Sequence, residues 1–136
     1  MRAIAQSAVL AACLAAAGPP CATADPPAER ASVGADGVQR ARIEGGSYFF
    51  RPERVTVKAN VPVELTISVE RGLAPHSFVI QAPEAGIDID ESLSSTPKTI
   101  RFTPTTAGSY PFYCRNRLLF LESHREKGMA GVLVVE

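Results

Sequence analysis

From Val55 onward, apolar residues recur at every second position, and that period fixes what the chain can become. Val55 and Val57 alternate with Thr56 and Lys58; Val61, Val63, Leu65, Ile67 and Val69 alternate with Pro62, Glu64, Thr66 and Ser68. His76, Phe78 and Ile80 share a parity, as do Ile100 and Phe102, and then Tyr110, Phe112 and Cys114. Gly131-Val132-Leu133-Val134-Val135 closes the chain with a short apolar run. A period of two sends successive side chains to opposite faces, so each run reads as a half-buried strand. Turn signals at Lys58-Ala59-Asn60, Glu70-Arg71-Gly72 and Ala107-Gly108 separate the runs. Short strands so punctuated imply an all-β sandwich or small barrel. Residues 83–97 read as helical or irregular, and 115–128 as a long loop with at most a helical turn. No internal repeat is visible.

The ends read differently. Met1-Arg2 precedes the small apolar run 3–17, and Ala22-Thr23-Ala24 supplies an A-x-A cleavage pattern. Residues 1–24 are therefore expected to be a secretory signal peptide cut after Ala24, which makes the protein periplasmic or otherwise exported. A second processing reading takes Leu10-Ala11-Ala12-Cys13 as a lipoprotein box with Cys13 lipidated. No later run approaches the ~20 apolar residues of a membrane-spanning helix. Residues 25–41, rich in Pro, Ala, Gly and charge, read as a flexible lead-in, so the domain is expected to occupy 42–136.

Charge excludes one class of partner. Formal net charge is zero over 136 residues. Removing Arg2 with the leader leaves 13 basic against 14 acidic residues, a net charge of −1. No basic footprint for nucleic acid exists. The same removal takes Cys13 and Cys21 and leaves Cys114 alone. An exported protein usually pairs its cysteines. A single one is buried and inert, free and reactive, or bound to something.

The chain holds only two histidines, His76 and His124. His76 opens a strand, Cys114 ends another, and His124 and Met129 follow in the loop ahead of the last strand. Nine residues separate Cys114 from His124, and four separate His124 from Met129. Taken singly, each has a bland reading: Cys114 as a small buried hydrophobe, His76 as a satisfied rim histidine, His124 as a solvated loop residue, Met129 as core filler. Taken together, two imidazoles, a thiolate and a thioether at strand ends that a sandwich gathers at one pole form a metal set. A trigonal His, His, Cys arrangement with a weak axial Met is the ligand field of an electron-transfer copper site, and Met suits zinc poorly.

From Tyr48 to Glu136 the chain resembles the cupredoxins, the type 1 (blue) copper proteins. The resemblance rests on Phe50-Arg51-Pro52-Glu53-Arg54-Val55-Thr56-Val57, on Pro75-His76-Ser77-Phe78-Val79-Ile80, on Phe102-Thr103-Pro104 with Ala107 to Cys114, and on His124 to Val135. It implies a Greek-key antiparallel β-sandwich holding one mononuclear copper. His76, Cys114 and His124 would be its equatorial ligands and Met129 the axial one. It implies that Ser77 ties the two ligand-bearing segments together by hydrogen bonding. It also implies that His124 presents an edge to solvent as the electron port. Phe78, Phe112 and Tyr113 are candidates for the apolar surroundings of the sulfur. The Cys114–His124 spacing is closer to that of the type 1 domain of copper nitrite reductases than to small carriers. The extra segment, Arg115-Asn116-Arg117-Leu118-Leu119-Phe120-Leu121, is expected to pack its own Leu and Phe against the sandwich, or else to form a docking face.

Enzyme readings fail on counting. Further copper centres need more histidines, and a dinuclear purple centre needs a second thiolate. A hydrolytic zinc site keeps an open position and a general base. Two functions remain. The first is a monomeric periplasmic one-electron carrier acting between unidentified redox partner proteins. The alternative is a periplasmic copper-binding protein for homeostasis or delivery. The absence of a Met- or His-rich tract favours the carrier.

Overall fold

Eleven strands build the molecule in a computed structural model that describes residues 27–72 and 74–136. The expected leader, with Cys13 and Cys21, lies outside the described residues. The strands are β1 (Ala28–Arg30), β2 (Ser32–Val33), β3 (Gln39–Gly46), β4 (Phe49–Arg51), β5 (Arg54–Val57) and β6 (Val63–Val69). They continue with β7 (His76–Ala82), β8 (Ile87–Leu93), β9 (Lys98–Phe102), β10 (Gly108–Tyr113) and β11 (Ala130–Val135). One 3-10 turn, Pro83–Ala85, is the sole helical element among the described residues.

Two sheets face each other across one core. The first runs in the order β1-β5-β11-β10-β7-β8; the second runs β2-β3-β6-β9, with β4 paired to β3. The β-sandwich agrees with the sequence reading. Its pairing is mixed: β1 with β5, β5 with β11 and β3 with β6 are parallel. Parallel neighbours need crossover connections, and here the chain makes them by passing from one sheet to the other.

Period-two burial explains the strands. In β6, Val63, Leu65, Ile67 and Val69 are buried while the residues between them are half exposed. Phe50, Phe78 and Phe112 meet at the centre. Phe50 stands edge-on to the other two, with centroids 5.6 Å away at 82° and 78°. Phe78 and Phe112 lie 5.1 Å apart. Edge-to-face packing of this kind adds to plain area burial.

Two sequence expectations need correction. Where it is described, from residue 27 on, the expected lead-in 25–41 is paired into the sheets: β1 pairs with β5, β2 pairs with β3, and β3 begins at Gln39. Its inward positions carry Gln39 and Ala41 where large apolar residues usually reveal a strand. Gln39 is buried because its amide donates to Lys58 O at 2.7 Å and Val61 O at 3.1 Å, and its Oε1 accepts from Lys58 N at 2.9 Å. Those bonds satisfy a polar side chain that would otherwise be costly inside. Residues 83–97 likewise hold a strand, β8, in full register with β7. Its alternation Ile87-Asp88-Ile89-Asp90 is regular, but two aspartates, depleted in strands, disguise it.

Close packing makes one glycine indispensable. A Cβ on Gly131 would sit 2.3 Å from Phe112 Cζ and 2.5 Å from Glu53 O. Gly131→Ala should therefore destabilise the protein by about 1–3 kcal/mol through overpacking. A urea midpoint unchanged from the parent chain would refute that account.

Candidate metal centre

Strand β7 delivers His76 at its first residue, and β10 delivers Cys114 one residue past its end. Pairing of Tyr113 with Val79 sets the two strand ends side by side. His124 and Met129 come from the segment that joins Cys114 to β11.

Backbone bonds fold that segment back on itself. Cys114 N–H donates to Met129 O at 3.1 Å, closing its base. Within it, His124 N–H donates to Asn116 O and Met129 N–H to His124 O, both at 2.9 Å. Ser123 and Glu126 form a reciprocal cap. Ser123 N–H donates to Glu126 Oε2 at 2.6 Å, and Glu126 N–H donates to Ser123 Oγ at 3.3 Å. This is the S-x-x-E capping box, and it fixes the turn that carries His124. The spacing of Ser123 and Glu126 is readable in the sequence as S-x-x-E, although the segment 115–128 reads there as a long loop.

The donors converge. One ligating atom each from His76, Cys114 and His124 lies within 4.8 Å of the others, and all three residues are buried. Cys114 Sγ is 3.5 Å from His124 Nδ1. The imidazole centroids of His76 and His124 are 5.0 Å apart. Met129 is fully buried, and a Cβ on Gly45 would meet its Cε at 3.2 Å. Gly45 on β3 thus leaves the space that the thioether occupies.

Ser77 stitches the site. Its N–H donates to Cys114 Sγ at 3.4 Å and its hydroxyl lies 3.7 Å from the same sulfur. The hydroxyl oxygen accepts from Arg115 N–H at 3.0 Å. The thiol in turn donates to Asn116 Oδ1 at 3.5 Å. Asn116 escaped the sequence reading, because nothing in a lone asparagine two residues past a cysteine marks it.

His76 Nδ1 is buried with no hydrogen-bond partner. A buried polar atom left unpaired costs about 1–3 kcal/mol. An electron-pair acceptor among these donors would remove that cost, and soft sulfur with imidazole suits copper. The residues therefore fit one copper ion. Burial holds the pKa of both imidazoles below the usual 6.5, with smaller contributions from His124 on His76 and from Lys127 on His124. Neutral rings are the ligating form.

His124 does not reach solvent as expected. It is 2% exposed, against 8% for His76. Tyr48 covers it, with ring centroids 5.0 Å apart in an edge contact. Tyr48 adopts the left-handed φ of +66°, uncommon outside glycine, and Lys127 Nζ sits 4.4 Å above its ring. No sequence pattern announces such a cover, since it joins residues 76 positions apart. Tyr113 also departs from expectation. It points outward, donating to Gln81 Oε1 at 3.1 Å under the Arg125 guanidinium, while Phe112 and Phe78 line the core. Leu118 to Leu121 do not pack on the sandwich: they are 53–80% exposed, and Phe120 is fully so.

Comparison with known proteins bears on the family and the fold. The model of the cupredoxin-like domain matches residues 6–135. The chain belongs to the cupredoxin-like family. It is 28% identical over 102 residues to the plastocyanin of Dryopteris crassirhizoma, covering 68% of this chain and 93% of that one. Its fold is similar to the metal-binding domain of the Streptococcus pneumoniae Cu(I)-exporting P-type ATPase CopA, solved with Cu(I). The TM-score there is 0.62 at 21% identity, over 83% of this chain and 99% of that one. It is also similar to auracyanin A, a "blue" copper protein of Chloroflexus aurantiacus. That TM-score is 0.54 at 18% identity, over 74% of this chain and 100% of that one.

The depressed imidazoles have a consequence for the copper-free protein. Their folded pKa lies below the unfolded value, so below about pH 6.5 the unfolded chain binds protons that the folded one does not. The stability from neutral histidines is complete above that pH and is lost as the pH falls further. Urea midpoints at pH 7.5 and 5.5 should drop on acidification, and drop less in His76→Gln. An equal drop in both would show that His76 does not contribute.

Proposed function

We propose that His76, Cys114, His124 and Met129 hold a single copper ion and that the protein is an exported one-electron carrier. The observation that carries this reading is the convergence of three ligating atoms within 4.8 Å around the unpartnered His76 Nδ1. Bound copper supplies a Cu(II)/Cu(I) couple.

The chain's own residues make that couple useful. Sheet and loop hydrogen bonds fix the donors before the metal arrives, so little needs to move between oxidation states. Ser77 N–H places a donor on the sulfur at 3.4 Å, and such outer contacts tune a metal–thiolate bond. Phe78 and Phe112, both fully buried, line the core that keeps water away. Tyr48 covers His124, so a redox partner meets the tyrosine ring or the slightly exposed edge of His76 before it meets His124. The A-x-A pattern behind the apolar run 3–17 supports a periplasmic setting. Both histidines lie in one cluster, which leaves none for a second, catalytic copper.

Addition of one equivalent of Cu(II) to the purified protein should produce an intense thiolate-to-copper band. Ascorbate should bleach it, and reoxidation should restore it. Cys114→Ala should stay folded and colourless. A coloured Cys114→Ala protein would sink the ligand assignment. A colourless parent chain that binds only Cu(I) would turn the reading to copper homeostasis or delivery.

A further inference from the structure

Between Cys114 and His124 the chain makes a projecting turn. Arg117 and Ser123 bridge as antiparallel partners at its base. Leu121 N–H donates to Leu118 O at 3.0 Å, and Leu119 takes a left-handed φ of +52°. The tip is therefore an ordered four-residue turn made wholly of large apolar side chains. Leu118, Leu119, Phe120 and Leu121 are 55%, 80%, 101% and 53% exposed. A contiguous apolar surface of this kind on a polar protein marks an interaction site.

Charge surrounds the tip. Arg115, Arg117, Arg125 and Lys127 lie in the same segment, against Glu122 and Glu126. Arg115 pairs with Asp90 at 2.8 Å and Arg117 with Glu126 at 3.3 Å. Arg125 and Lys127 make no ion pair among the described residues; they lie over the outward rings of Tyr113 and Tyr48, 4.1 and 4.4 Å from the centroids. Tyr48 also covers His124, and Arg125 follows His124 directly, so both cations lie beside the donor cluster.

We propose that this turn docks on a lipid surface carrying anionic headgroups. Leu119 and Phe120 would enter the boundary between headgroups and acyl chains, and Arg125 and Lys127 would meet the lipid phosphates. The shape of the tip favours lipid over a folded partner. All four side chains stand more than half exposed on a turn closed by a single backbone hydrogen bond, and a protein would need a pocket that takes in each of them. A bilayer boundary conforms to it without one. Apolar residues beside basic ones are the composition of segments that lie at this boundary, with the cations reaching outward to the phosphates. Only a few side chains insert, so attachment is reversible, as even a single acyl chain binds marginally. The docked protein would face the membrane with its candidate copper pole.

The chain contains no tryptophan, which makes the tip easy to report on. Phe120→Trp places a single indole where the native ring is fully exposed, so folding should be unaffected. Mixed with vesicles containing phosphatidylglycerol, its emission should shift to the blue and be quenched by brominated acyl chains. Pure phosphatidylcholine vesicles should give little of either. In that background, Arg125→Gln and Lys127→Gln should each weaken vesicle affinity about fivefold, from about 1 kcal/mol per basic residue at an anionic surface. Emission unchanged by both vesicle types would overturn the proposal and leave an acidic protein as the partner. Equal quenching in both types would overturn it as well. So would emission already shifted to the blue without lipid and dependent on protein concentration, which would place a second copy over the tip. The indole reports on the tip alone, so binding through the N-terminal segment does not imitate the result. The readout needs no copper and stands apart from the ligand assignment.

Discussion

Ser77 is the joint on which the site depends. One residue reaches across from β7 to Cys114 with its N–H and to Arg115 with its hydroxyl oxygen. Those contacts hold the strand that carries His76 against the start of the segment that carries the other three donors. Without that joint, the pairing of Tyr113 with Val79 would be the only register between β7 and β10. The capping box at Ser123 and Glu126 and the closure of Cys114 on Met129 then complete the enclosure. Below it, the Phe50, Phe78 and Phe112 cluster gives the donors a rigid floor.

The arrangement carries a built-in conflict. Four donors, three of them nitrogen or thiol sulfur, are drawn inside where polar atoms are expensive. His76 Nδ1 is left without a partner there. In the copper-free chain, β-pairing and the apolar core have to outweigh that cost. A metal ion in the cluster would turn the unpartnered group into a bonded one. Preorganisation for the ion and destabilisation of the empty site are thus the same fact.

Much of this was legible in the sequence, and the failures have physical causes. The strands with large apolar residues at alternate positions, β5, β6, β7, β10 and β11, could be read directly. Strands β1 to β3 could not, because small or polar residues such as Ala41 and Gln39 fill their inward positions. Gln39 is tolerated through bonds to Lys58 and Val61 that no local pattern displays. Strand β8 was hidden by its aspartates. The donors were legible because only two histidines exist and Cys114 is the one cysteine after position 24. The cover of Tyr48 on His124 was not, since a contact between a left-handed turn residue and a distant loop leaves no trace in periodicity. The sequence left the placement of Leu118 to Leu121 open between packing and a docking face, because apolar residues are expected inside and a turn that presents them outward breaks that rule.

Two imidazoles and one thiolate of this chain, on our proposal, bind one copper together. X-ray absorption at the copper edge of the loaded protein tests it most directly. The spectrum should show one short sulfur and two imidazole nitrogens around the copper, and Cys114→Ala should lose the short sulfur. A first shell of only nitrogen and oxygen in the parent protein would contradict it.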